Sequence, residues 1–551
     1  MMQSLSNRFS YRTAFSVVIA GVILLALRLP GIHLPYHQDE WKNVVNAENM
    51  VTAGGFFAHP PLMQVWFVAG QNVVGADYFR FWPLGWSLVA AWLLFAVVKG
   101  RMTGVGSKAS WWVVSLFAIS FYSIWASLMA DVDGSVLPLL FLAALWAYDR
   151  NKIWLLIAVC VTGFLVKLSF VVAVIAIGME MLLKKQYKPA ALCAAGFAIF
   201  SVFGLAAFAW LNPYFDIHFM LSHAAGSVGD SRNWGQVMFQ LLKAVFYLSP
   251  LLFASLVFVR REDWIRLRPF ALYLGFGFLF YIVLFDFSQA ALDKYLMFAI
   301  VPLCALAGTA LANVFKEQAL FRPGKVVSLC ALCVAALVSV EFLHQTAVPL
   351  YPKTEWFGRV MHLQWNVLTP FNGGNGPIGL YVSFLFIALS FVMSFGAAAL
   401  GYFRKEWRPV AAALLITVGL VYNGVFAEEL FFGKIHGSVA AATWAATEFI
   451  GASPDIRQVM TFNDTGAYEL SKLGKYAGRF YAAPQFEDGH RVKFSEFSAT
   501  GGSYLVVEFP LLYDGFYKEY FSKCARIFES VQKDVTAHVY SCAKNPVTHS
   551  I

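Results

Sequence analysis
Runs of about 20 apolar residues recur along most of the chain, and an α-helix needs a run of that length to cross the hydrocarbon core of a bilayer. They fall near 14–30, 81–99, 109–126, 134–149, 153–166, 168–183, 189–211, 241–259, 269–285, 296–315, 325–343, 378–402 and 409–426. A polytopic α-helical membrane protein with about 13 transmembrane helices is predicted. The fifth and sixth runs are short and share a polar break at Lys167. Composition excludes a soluble fold: 59% of residues are hydrophobic and 13% charged, where soluble domains carry about 25% charged residues. Arg8 and Arg12 precede the first run, and Arg28-Leu29-Pro30 follows it with no small-residue cleavage site. The reading is an uncleaved first span.

The loops between the runs alternate in charge. One set holds Lys99, Arg101 and Lys108; Arg150 and Lys152; Lys184, Lys185 and Lys188; Arg260, Arg261, Arg266 and Arg268; Lys316, Arg322 and Lys325; Arg404, Lys405 and Arg408. The other set, 31–80, 127–133, 212–240, 286–295 and 344–377, is longer and sparse in Lys and Arg. The positive-inside rule puts the basic set, and the N-terminus, in the cytoplasm. The net charge of +9 is thus a topology signal and not a nucleic-acid signal. An odd number of spans places the C-terminus outside.

Residues 1–426 form the expected transmembrane module. From 427 the span-length runs stop and charge rises. Residues 437–450 read as a helix, 456–462 and 503–509 as strands, 510–521 as a helix, and CARIFES and AHVYSC as closing strands. Residues 427–551 are therefore expected to be a small extracytoplasmic α/β domain. Cys524 and Cys542 lie in it and would be able to pair in an oxidising compartment. Cys160, Cys193, Cys304, Cys330 and Cys333 lie in apolar runs and read as packing residues.

Charges gather on the outward side. HQDEWKNVV, residues 37–45, sets Asp39 and Glu40 directly after the first span. Trp41, Val44, Val45 and Val51 share one helical face and Asp39, Asn43 and Asn46 the other, the pattern of a helix lying in the headgroup plane. Gly54-Gly55 breaks it, His59-Pro60-Pro61 forces an extended connection, and 63–75 reads as a second interfacial helix. ADVDG adds Asp131 and Asp133 between two close spans; capping of the next helix would account for Asp133 but not for Asp131. Outward basic groups are few: Lys167 in GFLVKLSFVV, Lys294 beside Tyr295, and Arg80 before the second span. Such groups near a membrane need a carboxylate or an anionic ligand.

The stretch DEWKNVVNAENMVTAGGFFAHPPL resembles the first outward loop of GT-C glycosyltransferases that use polyprenyl-phosphate sugars, the group of protein O-mannosyltransferases, the lipid A aminoarabinose transferase and the rhizobial lipopolysaccharide transferases. The matching positions are Asp39, Glu40, His59, Pro60, Pro61 and Leu62. FRFWPLGW (79–86), GFLVKLSF and DKYLMFAIVPLCALAG (293–308) resemble further family stretches, so that the likeness covers roughly residues 10–310. His-Pro-Pro stands where the aminoarabinose enzymes have Lys-Pro-Pro, and ADVDG offers two candidates for one family aspartate.

The resemblance implies transfer of a sugar from a polyprenyl monophosphate to a hydroxyl of a lipid, glycan or protein acceptor, with inversion, on the extracytoplasmic side of the inner membrane. Asp39 would then be the base, with Glu40 orienting it or binding a cation. Asp131 or Asp133 would position the acceptor, and Lys167, Lys294, Tyr295 and, more weakly, Arg80 would meet the leaving phosphate. His37 and His59 would line the cleft. The sequence leaves the need for a metal open; where a divalent cation, Mg²⁺ or Mn²⁺, is used, Asp39, Asp131 and Asp133 would be its oxygen ligands. The competing class is a transporter or flippase of a lipid-linked or anionic substrate, which would set its charges at the membrane midplane; Glu180 is the main deep acid.

Overall fold
The computed structural model describes residues 11–37, 39–52, 60–102, 106–212, 215–226, 234–284, 293–316, 323–342, 353–371, 378–480, 494, 496–499, 501–509 and 515–543. Each predicted span overlaps an apolar helix or a bent pair of helices, but among the described residues six to eight, not about 13, are long and apolar enough to cross a membrane. Among the described residues, six single helices meet that length: Phe81–Arg101, Tyr187–Leu211, Lys294–Lys316, Gly324–Phe342, Phe384–Phe403 and Lys405–Phe431. Two more candidates are bent pairs, Lys108–Ile119 with Phe121–Leu128 (65°) and Val237–Leu248 with Pro250–Phe258 (86°). Shorter apolar helices, Ile19–Gly31, Val136–Asp149, Ile153–Val166, Leu168–Leu183 and Arg268–Leu284, occupy the remaining predicted positions. The Lys294–Lys316 helix is central and almost wholly buried.

Both bends have chemical causes. At the first, the Phe121 amide donates to Asn423 Oδ1 at 2.8 Å, while the carbonyls of Phe117 and Ala118 accept from the buried Arg28 guanidinium at 3.4 and 3.0 Å. Backbone groups freed by the bend are thereby satisfied inside apolar surroundings, where leaving them bare would be costly. At the second, Ser249 adopts φ +69° and Pro250 opens the next helix, supplying the fixed φ and missing N–H that suit a first helical position.

Loop contacts sort the two ends of the bundle. Arg101 pairs with Asp149 at 2.5 Å and donates to the Arg266 carbonyl. Glu180 pairs with Lys184 at 3.0 Å and Arg268 at 2.6 Å. The basic loops therefore share one end, and Glu180 is anchored to that end rather than standing alone at mid-depth. At the opposite end lie the acidic helix Asp39–Thr52, the proline-led helix Pro61–Val74 and the C-terminal domain.

Two short strands, β1 (Leu368–Phe371) and β2 (Leu380–Ser383), pair antiparallel. The predicted span from 378 thus begins as a strand and turns helical only at Phe384. The helix Lys405–Phe431 runs past the expected boundary at 426. The C-terminal domain is a five-stranded sheet of β3 (Val459–Phe462), β4 (Tyr476–Phe480), β5 (Gly502–Glu508), β6 (Ala525–Gln532) and β7 (Val535–Cys542), in the order β4-β3-β5-β7-β6. Its first three strands are parallel and the β5-β7-β6 part is antiparallel. The helix Val439–Ala452 packs on β6 and β7, and Cys524 and Cys542 form a disulfide.

The domain is pinned to the bundle by His436, next to a glycine, Gly437, that packs closely on β6. Gly437 adopts φ +113°, and a Cβ there would lie 1.8 Å from the Gln532 carbonyl oxygen, so only glycine fits. His436 is buried; its Nε2 is 2.9 Å from Glu341, on the Gly324–Phe342 span, and its Nδ1 is 3.3 Å from Asp534, in the β6–β7 turn. Burial alone would lower the imidazole pKa, but hydrogen bonds to Asp534 and Glu341 outweigh it and push it up to about 9. An imidazole is otherwise near 6.5, so the contribution is fully present below about pH 6.5 and is lost as pH rises through about 9. Thermal unfolding of the domain should therefore shift downward between pH 7 and 10 in the wild type. It should lose that pH dependence in His436→Gln.

Candidate functional site
The loop between Leu128 and Val136 owes its position to Gly134. A Cβ there would meet the Ala126 carbonyl oxygen at 2.4 Å, so the turn lies flat on the preceding helix. That placement buries both acids, with Asp131 1% and Asp133 5% exposed. Asp131 Oδ1 accepts from the Val132 amide, and its Oδ2 accepts from Lys294 Nζ at 2.8 Å. Asp133 accepts from Lys167. Neither acid caps the Val136 helix, whose N-cap is Ser135. Lys167 stands where the helix Ile153–Val166 ends in extended backbone, the polar break seen in the sequence.

Tyr295 completes the arrangement. Its ring lies beneath both cations, 4.6 Å from Lys167 Nζ and 5.4 Å from Lys294 Nζ, a geometry that stabilises positive charge. Asp39, half-buried at the first position of the acidic helix, has its charge within electrostatic reach of Lys294. The structure therefore gathers Asp39, Asp131, Asp133, Lys167, Lys294 and Tyr295. Beside them Asp133, Ser169, Tyr273, Tyr281, Tyr295 and Phe298 line an enclosed space of about 10 Å³, room for roughly one water. Tyr281 and Tyr273 face this space yet carry no sequence signal, since LYLGFGFLFYIVLF reads as an ordinary lipid-facing run.

Glu40 and Arg80 belong elsewhere. Arg80 binds both Glu40 oxygens, at 2.7 and 2.9 Å, and both side chains are 0% exposed. Its remaining donors go to the carbonyls of Leu34, Pro35 and Leu128, and Glu40 also accepts from the Ala130 amide at 2.9 Å. All the guanidinium donors meet protein acceptors, so the expectation that Arg80 meets a phosphate is replaced by a structural one. The pair fastens the acidic helix to the start of the Phe81 span and to the Asp131 loop. Glu40→Gln should lower the unfolding free energy by about 3–5 kcal/mol, because a buried guanidinium loses its counter-charge. Glu40→Leu with Arg80→Met should recover most of that in thermal unfolding.

His37 is buried and turns toward the C-terminal domain, where the charge of Asp464 acts on it. Burial pushes its imidazole down to about 4, so it is neutral at pH 7. His59 lies outside the described residues. Among the described residues no three His, Cys, Asp or Glu side chains converge as a metal-ligand set. Asp131 and Asp133 each face a lysine ammonium instead, an arrangement that does not fit a divalent cation on Asp39, Asp131 and Asp133, the set named for the case that one is used.

No family model matches the sequence, and no curated protein matches it. Solved structures do match. ArnT from Cupriavidus metallidurans in the apo state aligns with a TM-score of 0.58 at 15% identity, over 97% of this chain and 98% of that one. The same protein bound to undecaprenyl phosphate aligns with a TM-score of 0.57 at 13% identity, over 96% and 98%. ArnT is the lipid A aminoarabinose transferase, a GT-C glycosyltransferase. From its first span to its closing sheet, this chain is built on the GT-C fold of ArnT.

Proposed function
We propose that the protein is an integral-membrane glycosyltransferase that moves a sugar from a polyprenyl-monophosphate donor to a hydroxyl acceptor, with inversion, on the extracytoplasmic side of the inner membrane. The observation that carries this reading is the grouping of two lysines over one tyrosine ring, beside a half-buried carboxylate, at the end of the bundle that holds the C-terminal domain. The sparse-charge loops meet there, which fits an outward-facing site. Fold likeness to an ArnT structure bound to undecaprenyl phosphate supports a polyprenyl-phosphate partner.

In this mechanism the acceptor oxygen attacks the anomeric carbon from the face opposite the phosphate. Its proton passes to Asp39 as the new C–O bond forms. The bond from the anomeric carbon to the phosphate oxygen breaks, and the departing phosphate takes the electron pair. An ammonium has three donors, so Lys167 and Lys294 can each keep a carboxylate and still donate to that phosphate, stabilising charge as it grows. Asp131 and Asp133 hold the two ammonium groups in place, and no step passes through a metal ion. The acceptor is a lipopolysaccharide, a cell-surface glycan or a protein.

Mass spectrometry of surface glycans and lipid-linked sugars, with the gene intact and deleted, tests this. Loss of one sugar from one glycan, with its polyprenyl-phosphate form accumulating, is expected. Unchanged glycans with a lipid-linked intermediate held on the inner leaflet would instead favour a flippase.

A further inference from the structure
The acidic helix Asp39–Thr52 is held from two sides. Glu40 ties it to the bundle, and the second hold comes from the C-terminal domain through Asp464. This aspartate follows β3 in a turn where Asn463 (φ +54°), Asp464 (φ +60°) and Gly466 (φ +73°) all lie in the left-handed region. Such backbone costs about 1 kcal/mol or more per non-glycine residue and persists only where its surroundings enforce it. Here it delivers a carboxylate that is 0% exposed. Asp464 accepts from the Tyr476 hydroxyl and from Arg479 Nη1 at 2.8 Å, and its Oδ2 lies 3.5 Å from Lys42 Nζ. Lys42 sits on the acidic helix three residues after Asp39, and Trp41 beside it packs edge-on against Tyr476 at 5.1 Å. One buried carboxylate therefore joins two domain residues to the first turn of the helix that begins with Asp39.

We propose that Asp464 is a positioning residue: the C-terminal domain sets the place of Asp39 by gripping Lys42 through Asp464. The domain then acts on transfer through the acidic helix. The kinetic part of this inference rests on the transferase reading; the mechanical part does not.

The test uses the full chain in lipid nanodiscs, with Asp464→Asn, Lys42→Met and the double variant. Lys42 is 30% exposed, so Lys42→Met keeps the test open should Asp464→Asn fail to fold. Hydrogen exchange of residues 39–52 is expected to rise in each single variant, while the sheet β5-β7-β6 stays protected. Turnover should fall about tenfold or more, since a displacement near 1 Å can cost about 10²-fold. The KM for the donor should stay within about twofold. The double variant should be no slower than the slower single variant, and Lys42→Arg should restore most of the rate. Unchanged exchange in 39–52, or losses that multiply in the double variant, would overturn the proposal. If the wild type transfers no sugar, the transferase reading fails by itself, and hydrogen exchange still decides whether the grip exists.

Discussion
Asp39→Asn is expected to insert and fold like the wild type and to lose about 10²–10⁴-fold in turnover, the usual weight of a positioned general base. The expectation follows from where Asp39 stands. It heads the acidic helix, is half-buried, and lies close enough to Lys294 for their charges to interact. Helix burial is carried largely by its neighbours Glu40 and Val44, and Asn keeps the size and shape of Asp, so the helix is expected to keep its place. Single-turnover transfer in nanodiscs, with thermal unfolding as the control for folding, checks it. Full activity with Asn at this position would remove Asp39 as the base.

The second large effect concerns the lysines. Lys294→Met should cost both stability and rate, because it strips the counter-charge from Asp131, 1% exposed. Breaking such a buried pair costs about 3–5 kcal/mol. Adding Asp131→Asn to the same chain removes the orphaned charge and should restore most of the stability. The rate should stay depressed by about 10²–10³-fold, the typical loss of one donor to a developing oxyanion. Lys167→Met with Asp133→Asn should behave the same way. Recovery of rate together with stability would make these pairs purely structural.

Much of the fold was legible because its signals are local. Apolar run length, Lys and Arg in alternate loops, and the composition change near 427 need no knowledge of distant contacts. Compartment chemistry allowed a Cys524–Cys542 bond without requiring it, and the structure forms it. Strand β2 was hidden because LYVS is as apolar as the helix that follows it. Strand β4 was missed too: YAGRF carries a glycine and a charged residue, and it owes its place to pairing with β3.

The site divides along the same line. Asp39, Asp131, Asp133, Lys167 and Lys294 were visible because charges are rare in such a chain. Their pairing was not, since Lys294 and Asp131 are 163 residues apart. Glu40 and Arg80 looked like site residues for the same reason, but tertiary packing turns them into a buried clamp. Asp464 and His436 lie in a polar domain where a charge attracts no notice, so the contact of Asp464 with the acidic helix and the pin at His436 emerge only from the assembled structure.

The most direct measurement is a cryo-EM structure of the protein in nanodiscs with undecaprenyl phosphate. The account predicts the phosphate above the Tyr295 ring, within about 3 Å of both Lys167 Nζ and Lys294 Nζ, with Asp39 facing it across the cleft. A phosphate bound at the basic-loop end of the bundle, with both lysines contacting only Asp133 and Asp131, would contradict it.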